Sequence, residues 1–452
     1  MGWALLYFFG ICLNILQYDS FYPAVVSLIY AVFVLSVLIL FFYKDKIIWP
    51  SAVKVYFALT FWHGFASIYA GGYFFSHGDD PIKLYELAIS EVSINELLLM
   101  ENGASLSLFK FFYDVFLFIN IPSEHFIGSM LNISLVTLSF VVGYKVISLM
   151  RPITLKDIHW YRNIYLTSGM FILFAAIHLR EALIQLSFIL LILLWVSSLE
   201  NVSLKKIVLI SLFTIITIPY FKLLRTEFEF APIVIILSAY LSLFLSDESK
   251  RLKISLIFFI FLSSAFMLFF NYQEVALFYT KFETVGFNGV NSYLAANDLE
   301  SSSDSLGNNL IMQQPMYIKL FLANAYLFLS PFPFYQGIFS LSNDSEAYFL
   351  FKSLHALQMI FVVPYFLLTL RNIFKMKYFR NTSTLFLTTL FVGFTSAVAL
   401  TSLETRHHGI FILLMFILMI IYGPKWREYK GYLLIYLIAI FFLALIYFFL
   451  KL

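Results

Sequence analysis

An all-α bundle of membrane-spanning helices is the fold class this sequence predicts, and three observations predict it. Of 452 residues, 61% are hydrophobic and 20% aromatic, and only 12% are charged. A water-soluble domain carries about twice that charged fraction. Apolar runs of roughly 17–25 residues recur from end to end, the length a helix needs to cross a bilayer core. Such runs must satisfy their own backbone hydrogen bonds, which a helix does and an open strand does not. The single cysteine, Cys12, excludes a disulfide framework and a cysteine metal site. A net charge of +3 gives no footing for nucleic acid.

Taken in order, spans are expected near 2–17, 19–43, 51–75, 124–149, 163–179, 181–198, 205–221, 230–246, 253–271, 347–370, 383–402, 410–423 and 431–450. The first, Gly2–Gln17, has no basic flank and no small-residue cleavage motif, so it reads as a retained span. Span 410–423 is short and must borrow flanking residues. A further apolar segment, Tyr317–Phe334, ends in Ser330-Pro331-Phe332-Pro333-Phe334. Two prolines so placed break a helix, and the segment is expected to be re-entrant or interfacial. No internal repeat or soluble domain boundary is visible, so residues 1–452 read as a single transmembrane domain.

Lys and Arg set the orientation. If the loops at 44–50, 150–162, 199–206, 247–253, 371–380 and 424–430 are cytoplasmic, that side with Lys54 and Lys145 holds 19 of the 29 bases but only six of the 26 acids. This bias puts the N-terminus inside. The two long non-apolar stretches then face outward. Ser76–Pro122 carries amphipathic helical patterns around Pro81–Leu99 and Ser105–Phe118. Asn271–Pro315 contains the polar run Asn297–Asn309. These outer loops, 76–122 and 271–315, are expected to contribute to the site face.

Four outer junctions carry ionisable groups of a different kind from the plain Lys/Arg clusters inside. They are His77-Gly78-Asp79-Asp80 with Lys83, Tyr85 and Glu86; His178-Leu179-Arg180-Glu181; Arg225-Thr226-Glu227-Phe228-Glu229; and Glu404-Thr405-Arg406-His407-His408-Gly409. Three of these connections are so short that their charges must sit at the membrane mouth. An arginine there offers a planar fork of donors to phosphate oxygens and stays charged. Arg180, Arg225 and Arg406 fit stabilisation of a diphosphate leaving group. Asp79, Asp80 or Glu404 fits a general base on a sugar hydroxyl. His407, His408 and Lys83 fit donors to phosphate or to sugar hydroxyls. Structural readings stand beside these. Asp79-Asp80 before Pro81 suits a helix N-cap, Arg180-Glu181 an interfacial pair orienting a hairpin, and Arg225 with Glu227 and Glu229 a solvated charge run. His407 and His408, as helix neighbours, point about 100° apart and do not suit one metal ion. No metal site and no cofactor are expected.

These residues carry a resemblance. Gly78-Asp79-Asp80 with Tyr85, Arg180-Glu181 opening a span, Ser330-Pro331-Phe332-Pro333-Phe334, and Arg406-His407-His408 before a late span occur in that order over residues 70–425. The chain thereby resembles the bacterial oligosaccharide repeat-unit polymerases of O-antigen (lipopolysaccharide) and capsule synthesis, the Wzy family, and related GT-C-like membrane glycosyltransferases. The resemblance implies a multi-pass protein of the bacterial inner membrane with a periplasmic active face. Its partners would be the lipid bilayer, undecaprenyl-diphosphate-linked oligosaccharide and a chain-length regulator. It implies that glycan is moved from one undecaprenyl diphosphate to the non-reducing end of another lipid-linked unit, with Arg180, Arg406 and Arg225 on the diphosphates and Asp79 or Asp80 as base. The large outer loop common in such polymerases is split here between 76–122 and 271–315. Three rivals stay open: a GT-C enzyme using a polyprenyl-phosphate sugar, an O-antigen ligase, and a lipid-linked oligosaccharide flippase. The last predicts mid-membrane charges and two related halves, and neither is visible.

Overall fold

In the computed structural model the described residues are 2–69, 80–246, 316–329, 346–376, 378–401 and 405–451. Every regular element among them is helical. The helices are α1 (Gly2–Tyr18), α2 (Tyr22–Phe42), α3 (Trp49–Tyr69), α4 (Asp80–Ile89), α5 (Ile94–Leu98), α6 (Gly103–Phe118), α7 (Phe126–Met150), α8 (Leu155–Leu166), α9 (Gly169–Ala176), α10 (Glu181–Glu200), α11 (Leu204–Ile216), α12 (Ile218–Leu224) and α13 (Ala231–Leu245). They continue with α14 (Met316–Leu329), α15 (Glu346–Lys375), α16 (Thr382–Thr401), α17 (Thr405–Tyr422) and α18 (Trp426–Lys451). Seven stretches among the described residues are long and apolar enough to cross a membrane: Tyr22–Phe42, Phe126–Met150, Glu181–Glu200, Leu204–Leu224, Phe228–Leu245, Ala347–Lys375 and Thr382–Ala399. Gly2–Tyr18, Ile318–Leu329 and Arg406–Tyr422 are shorter apolar helices. The chain is an all-α, multi-pass membrane bundle.

Three helices form the interior, and one of them, α9, is buried at every residue. On α7 every residue from Phe126 to Tyr144 is buried, and on α17 every residue from Ile410 to Ile421. Apolar side chains on the outer helices instead point away from the protein: Leu28, Val32, Leu40 and Phe41 on α2, Leu209 and Ile216 on α11, Leu434, Ile435 and Phe441 on α18. In water such a surface would drive aggregation; against lipid it is the solvated face. The hydroxyls on α7 bond back to their own helix, Ser134 to Met130 O (3.0 Å), Thr137 to Ile133 O (2.8 Å) and Ser139 to Leu135 O (3.0 Å). They leave contact with other helices to shape, and small residues set it. A Cβ on Gly64 would lie 2.4 Å from Gly10 O, so α1 and α3 cross backbone to backbone.

Polar ties divide the bundle into two ends. At one end Lys145 meets Asp45 (2.6 Å), Arg151 meets Asp157 (2.8 Å) and donates to Ile421 O (3.3 Å), Asn372 donates to Tyr422 O (3.2 Å), and Arg371 meets Glu428 (3.1 Å). These are the junctions that the charge bias assigns to one side. The opposite end carries the charged junctions at 178–181, 225 and 405–408, together with the Tyr18–His125 contact (2.5 Å).

Four sequence expectations are corrected. Segment 163–179 is not one helix: the chain crosses as α8 and then α9, broken at Thr167-Ser168. Ser168 is extended, and Gly169 approaches α15 so closely that a Cβ would lie 1.9 Å from Phe351 O. The pattern over Pro81–Leu99 is two helices, because Ser93 and Glu96 form a capping box that restarts the chain at α5. The span drawn at 410–423 begins at Thr405, so Arg406, His407 and His408 occupy the first turn of α17 and do not form a loop. Arg225 on His407 and Glu181 opposite Arg406 supply polar partners for two of the three side chains in this turn. Arg225 does not belong to a solvated charge run, since its side chain is buried. Of 317–334, α14 accounts for the part up to Leu329; the proline pair, the predicted span 253–271 and the loop 271–315 lie outside the described residues.

Candidate functional site

Three sequence-distant junctions meet at one end of the bundle. α12 stops at Leu224, and Arg225 is fully extended (φ −169°, ψ 135°) before a 3-10 turn over Thr226–Phe230. That single extended residue turns the guanidinium toward α17. Its Nη1 lies 2.6 Å from His407 Nε2. A guanidinium has no acceptor, so Nε2 accepts and His407 is the neutral tautomer with its proton on Nδ1. His407 therefore serves first as an acceptor for arginine, and only its Nδ1–H remains to donate. The neighbouring acid finds a different partner: Glu229 pairs with Lys222 at 3.6 Å. Phe228 stacks on Phe411, one turn along α17 from His407 (centroids 6.1 Å, 16°), and docks the 3-10 turn.

α10 supplies the second junction. Arg180 is its N-cap residue and Glu181 its first residue. Sequence reasoning treats Glu181 as a neighbour of Arg180; the structure sets its Oε1 4.0 Å from Arg406 Nε on α17. The charges face each other at ion-pair distance, beyond hydrogen-bond reach. Glu181 and Gln185 are both fully buried, and no terminal oxygen or nitrogen of either has a hydrogen-bond partner among the described residues.

The loop between α9 and α10 is held from α7. Asn132 Nδ2 donates to Ile177 O and to Leu179 O, both at 2.8 Å. Between those carbonyls the His178 ring stacks on Phe109 (4.1 Å, 29°) and passes over Gly128, where a Cβ would lie 2.1 Å from its Cδ2. Tyr85 of α4 packs edge-on to His178 (6.1 Å) and donates to Ser123 O (2.7 Å). The α4–α6 layer is thereby fixed beside the segment that carries Arg180 and Glu181.

The predicted residues divide as follows. Arg225 and His407 are in contact, Arg406 faces Glu181, and Arg180 is adjacent in the chain to Glu181. His408 diverges from His407, as neighbouring helix residues do. It is fully buried and lies edge-on to Phe328 of α14 (4.5 Å, 90°). Lys83 is exposed on α4. Asp80 begins α4, as an acid before Pro81 does. Asp79 and Glu404 lie outside the described residues. Among the described residues no group of three or more His, Cys, Asp or Glu is placed to hold a metal ion. Sequence reasoning missed Asn132, Gly128 and Gln185. Only Gln185 left a signal, as the sole polar residue one helical turn after Glu181 in an apolar run. Comparison with family models, with curated proteins and with solved structures finds no match to this chain.

Proposed function

We propose that this protein is a glycosyltransferase that polymerises oligosaccharide repeat units carried on undecaprenyl diphosphate, at the periplasmic face of a bacterial inner membrane. One observation carries the reading. Arg225, Arg406 and the Arg180-Glu181 turn, drawn from three separate junctions, converge at the end of the bundle opposite the basic junctions. The charge bias supports assigning the basic end to the cytoplasm and the arginine end to the periplasm.

In the proposed reaction an acceptor sugar hydroxyl attacks the anomeric carbon of the donor glycan. The new glycosidic C–O bond forms as the bond from that carbon to the diphosphate oxygen breaks, and the diphosphate leaves with the electron pair. Arginines in a water-poor site stabilise the charge that develops on it. The hydroxyl proton passes to a carboxylate, for which Asp79, Asp80 and Glu404 are the sequence candidates. The reaction uses no nucleotide sugar, and the lipid-linked substrate reaches the site from the bilayer.

The test is made in cells whose own copy is replaced by Arg406→Ala or Arg225→Ala. Both variants are expected in the membrane, with long polysaccharide lost and single repeat units retained on the lipid carrier. Normal long chains in both variants would refute the assignment. Units trapped on the cytoplasmic face would indicate a flippase instead.

A further inference from the structure

Glu181 and Gln185 stand one turn apart on one face of α10, with Cβ atoms about 5–6 Å from each other by helix geometry. Both are fully buried, and their four terminal polar atoms have no hydrogen-bond partner among the described residues. Buried polar groups in native proteins are normally satisfied. A structural role for this pair would be met by a hydrogen bond between the two side chains or from Arg406, and neither is formed. Arg406 stands 4.0 Å from the carboxylate and bounds the pair with a cation on one side. One further turn along α10, Phe188 packs edge-on against Phe394 and Phe411 (5.1 Å each), which stack on each other at 4.5 Å. The face thus runs from a cation, through a carboxylate and an amide, to a buried aromatic cluster.

That sequence of groups has a chemical complement. A carboxylate accepts hydrogen bonds, whereas an amide both donates and accepts. Neighbouring sugar hydroxyls offer O–H donors to the first and both functions to the second. We propose that Glu181 and Gln185 are the sugar-recognising half of the site, hydrogen-bonding hydroxyls of a glycan whose diphosphate lies on Arg406. This assignment rests on the polymerase reading and extends it from the anion to the carbohydrate.

The test uses the full chain in lipid nanodiscs with two probes. One is undecaprenyl diphosphate; the other is the pool of undecaprenyl-diphosphate-linked oligosaccharides extracted from the native host. Gln185→Leu is expected to weaken binding of the glycosylated lipid by about tenfold and to leave undecaprenyl diphosphate binding unchanged. Arg406→Ala should weaken both. Gln185→Leu also removes an unpartnered buried amide, so it should raise the thermal midpoint of the unliganded protein; a packing or structural role predicts a fall. Equal effects on the two lipids, no effect on either, or a lowered midpoint with unchanged selectivity would overturn the proposal while leaving the polymerase reading in place. Failure of the unsubstituted protein to bind either lipid would overturn both.

Discussion

Gly128→Ala is the sharpest probe of how the α9–α10 turn is held. On helix propensity alone this change in α7 should stabilise, by about 0.5–1 kcal/mol. The structure reverses the sign. The added Cβ would sit 2.1 Å from His178 Cδ2, 2.2 Å from its Nε2 and 2.9 Å from Tyr113 Oη. Carbon atoms rest at about 3.5–4.0 Å, so the ring must retreat by more than about 1 Å. Phe109 blocks it from the other side at 4.1 Å, and Asn132 pins the backbone through both flanking carbonyls. Overpacking of this kind costs about 1–3 kcal/mol, and loss of one Asn132 bond adds about 1 kcal/mol. The expected destabilisation is about 2–4 kcal/mol, read from the denaturation midpoint of the purified protein in mixed detergent micelles. Removing the obstacle should remove the cost. In a His178→Ala background, Gly128→Ala should be neutral or stabilising, a coupling of about 2 kcal/mol or more. Additivity of the two substitutions within about 0.5 kcal/mol would refute the reasoning.

Asn132→Asp replaces the amide donor with an acceptor facing two carbonyls; a loss of about 2–5 kcal/mol is expected by the same assay and, under the proposed function, impaired polymer formation, because Arg180 and Glu181 follow that turn. Arg225→Ala and His407→Ala should show a coupling of about 1–2 kcal/mol in a double-mutant cycle, since each removes the same charge-assisted hydrogen bond. Gly169→Ala drives a Cβ to 1.9 Å from Phe351 O and should separate α9 from α15, seen as faster hydrogen exchange in both helices. At Asp157 burial pushes the carboxyl up, but hydrogen bonds from Thr154 and the Arg151 guanidinium outweigh it and hold it below its usual value. A depressed carboxyl adds stability at neutral pH and loses it as pH falls through the folded-state value. Exchange protection of the first turn of α8 should therefore drop below about pH 4, and Asp157→Asn should abolish that pH dependence.

Much of the fold was legible because hydrocarbon length is a coarse ruler that a sequence displays directly. The sorting of plain Lys/Arg junctions from mixed charged ones was equally visible, and the cross-ties at 45–145, 151–421 and 371–428 follow it. Partner choice was not visible. Arg225 has two acids within four residues, and only the extended backbone at 225 sends it to His407 while Glu229 turns to Lys222. The break inside 163–179 had a local signal in Thr167-Ser168-Gly169, which hydropathy outweighed. Gly128 and Asn132 lie in an apolar run where a lone glycine or amide looks like ordinary membrane packing. Their role depends on a ring and two carbonyls about 45 residues away in the chain.

α17 is tied at both of its ends to different helices. Ile421 O and Tyr422 O receive Arg151 and Asn372 at the basic end, while Arg406 and His407 engage Glu181 and Arg225 at the other. The length of this helix is therefore a gauge as well as a span. One residue inserted near its middle would advance one end by about 1.5 Å and turn it by about 100°, so that the two sets of ties could not be met together. The basic end, remote from any proposed chemistry, thus sets the angle at which Arg406 and His407 are presented. Insertion of four residues, close to a whole turn, would restore the angle and still displace the arginine by about 6 Å along the axis.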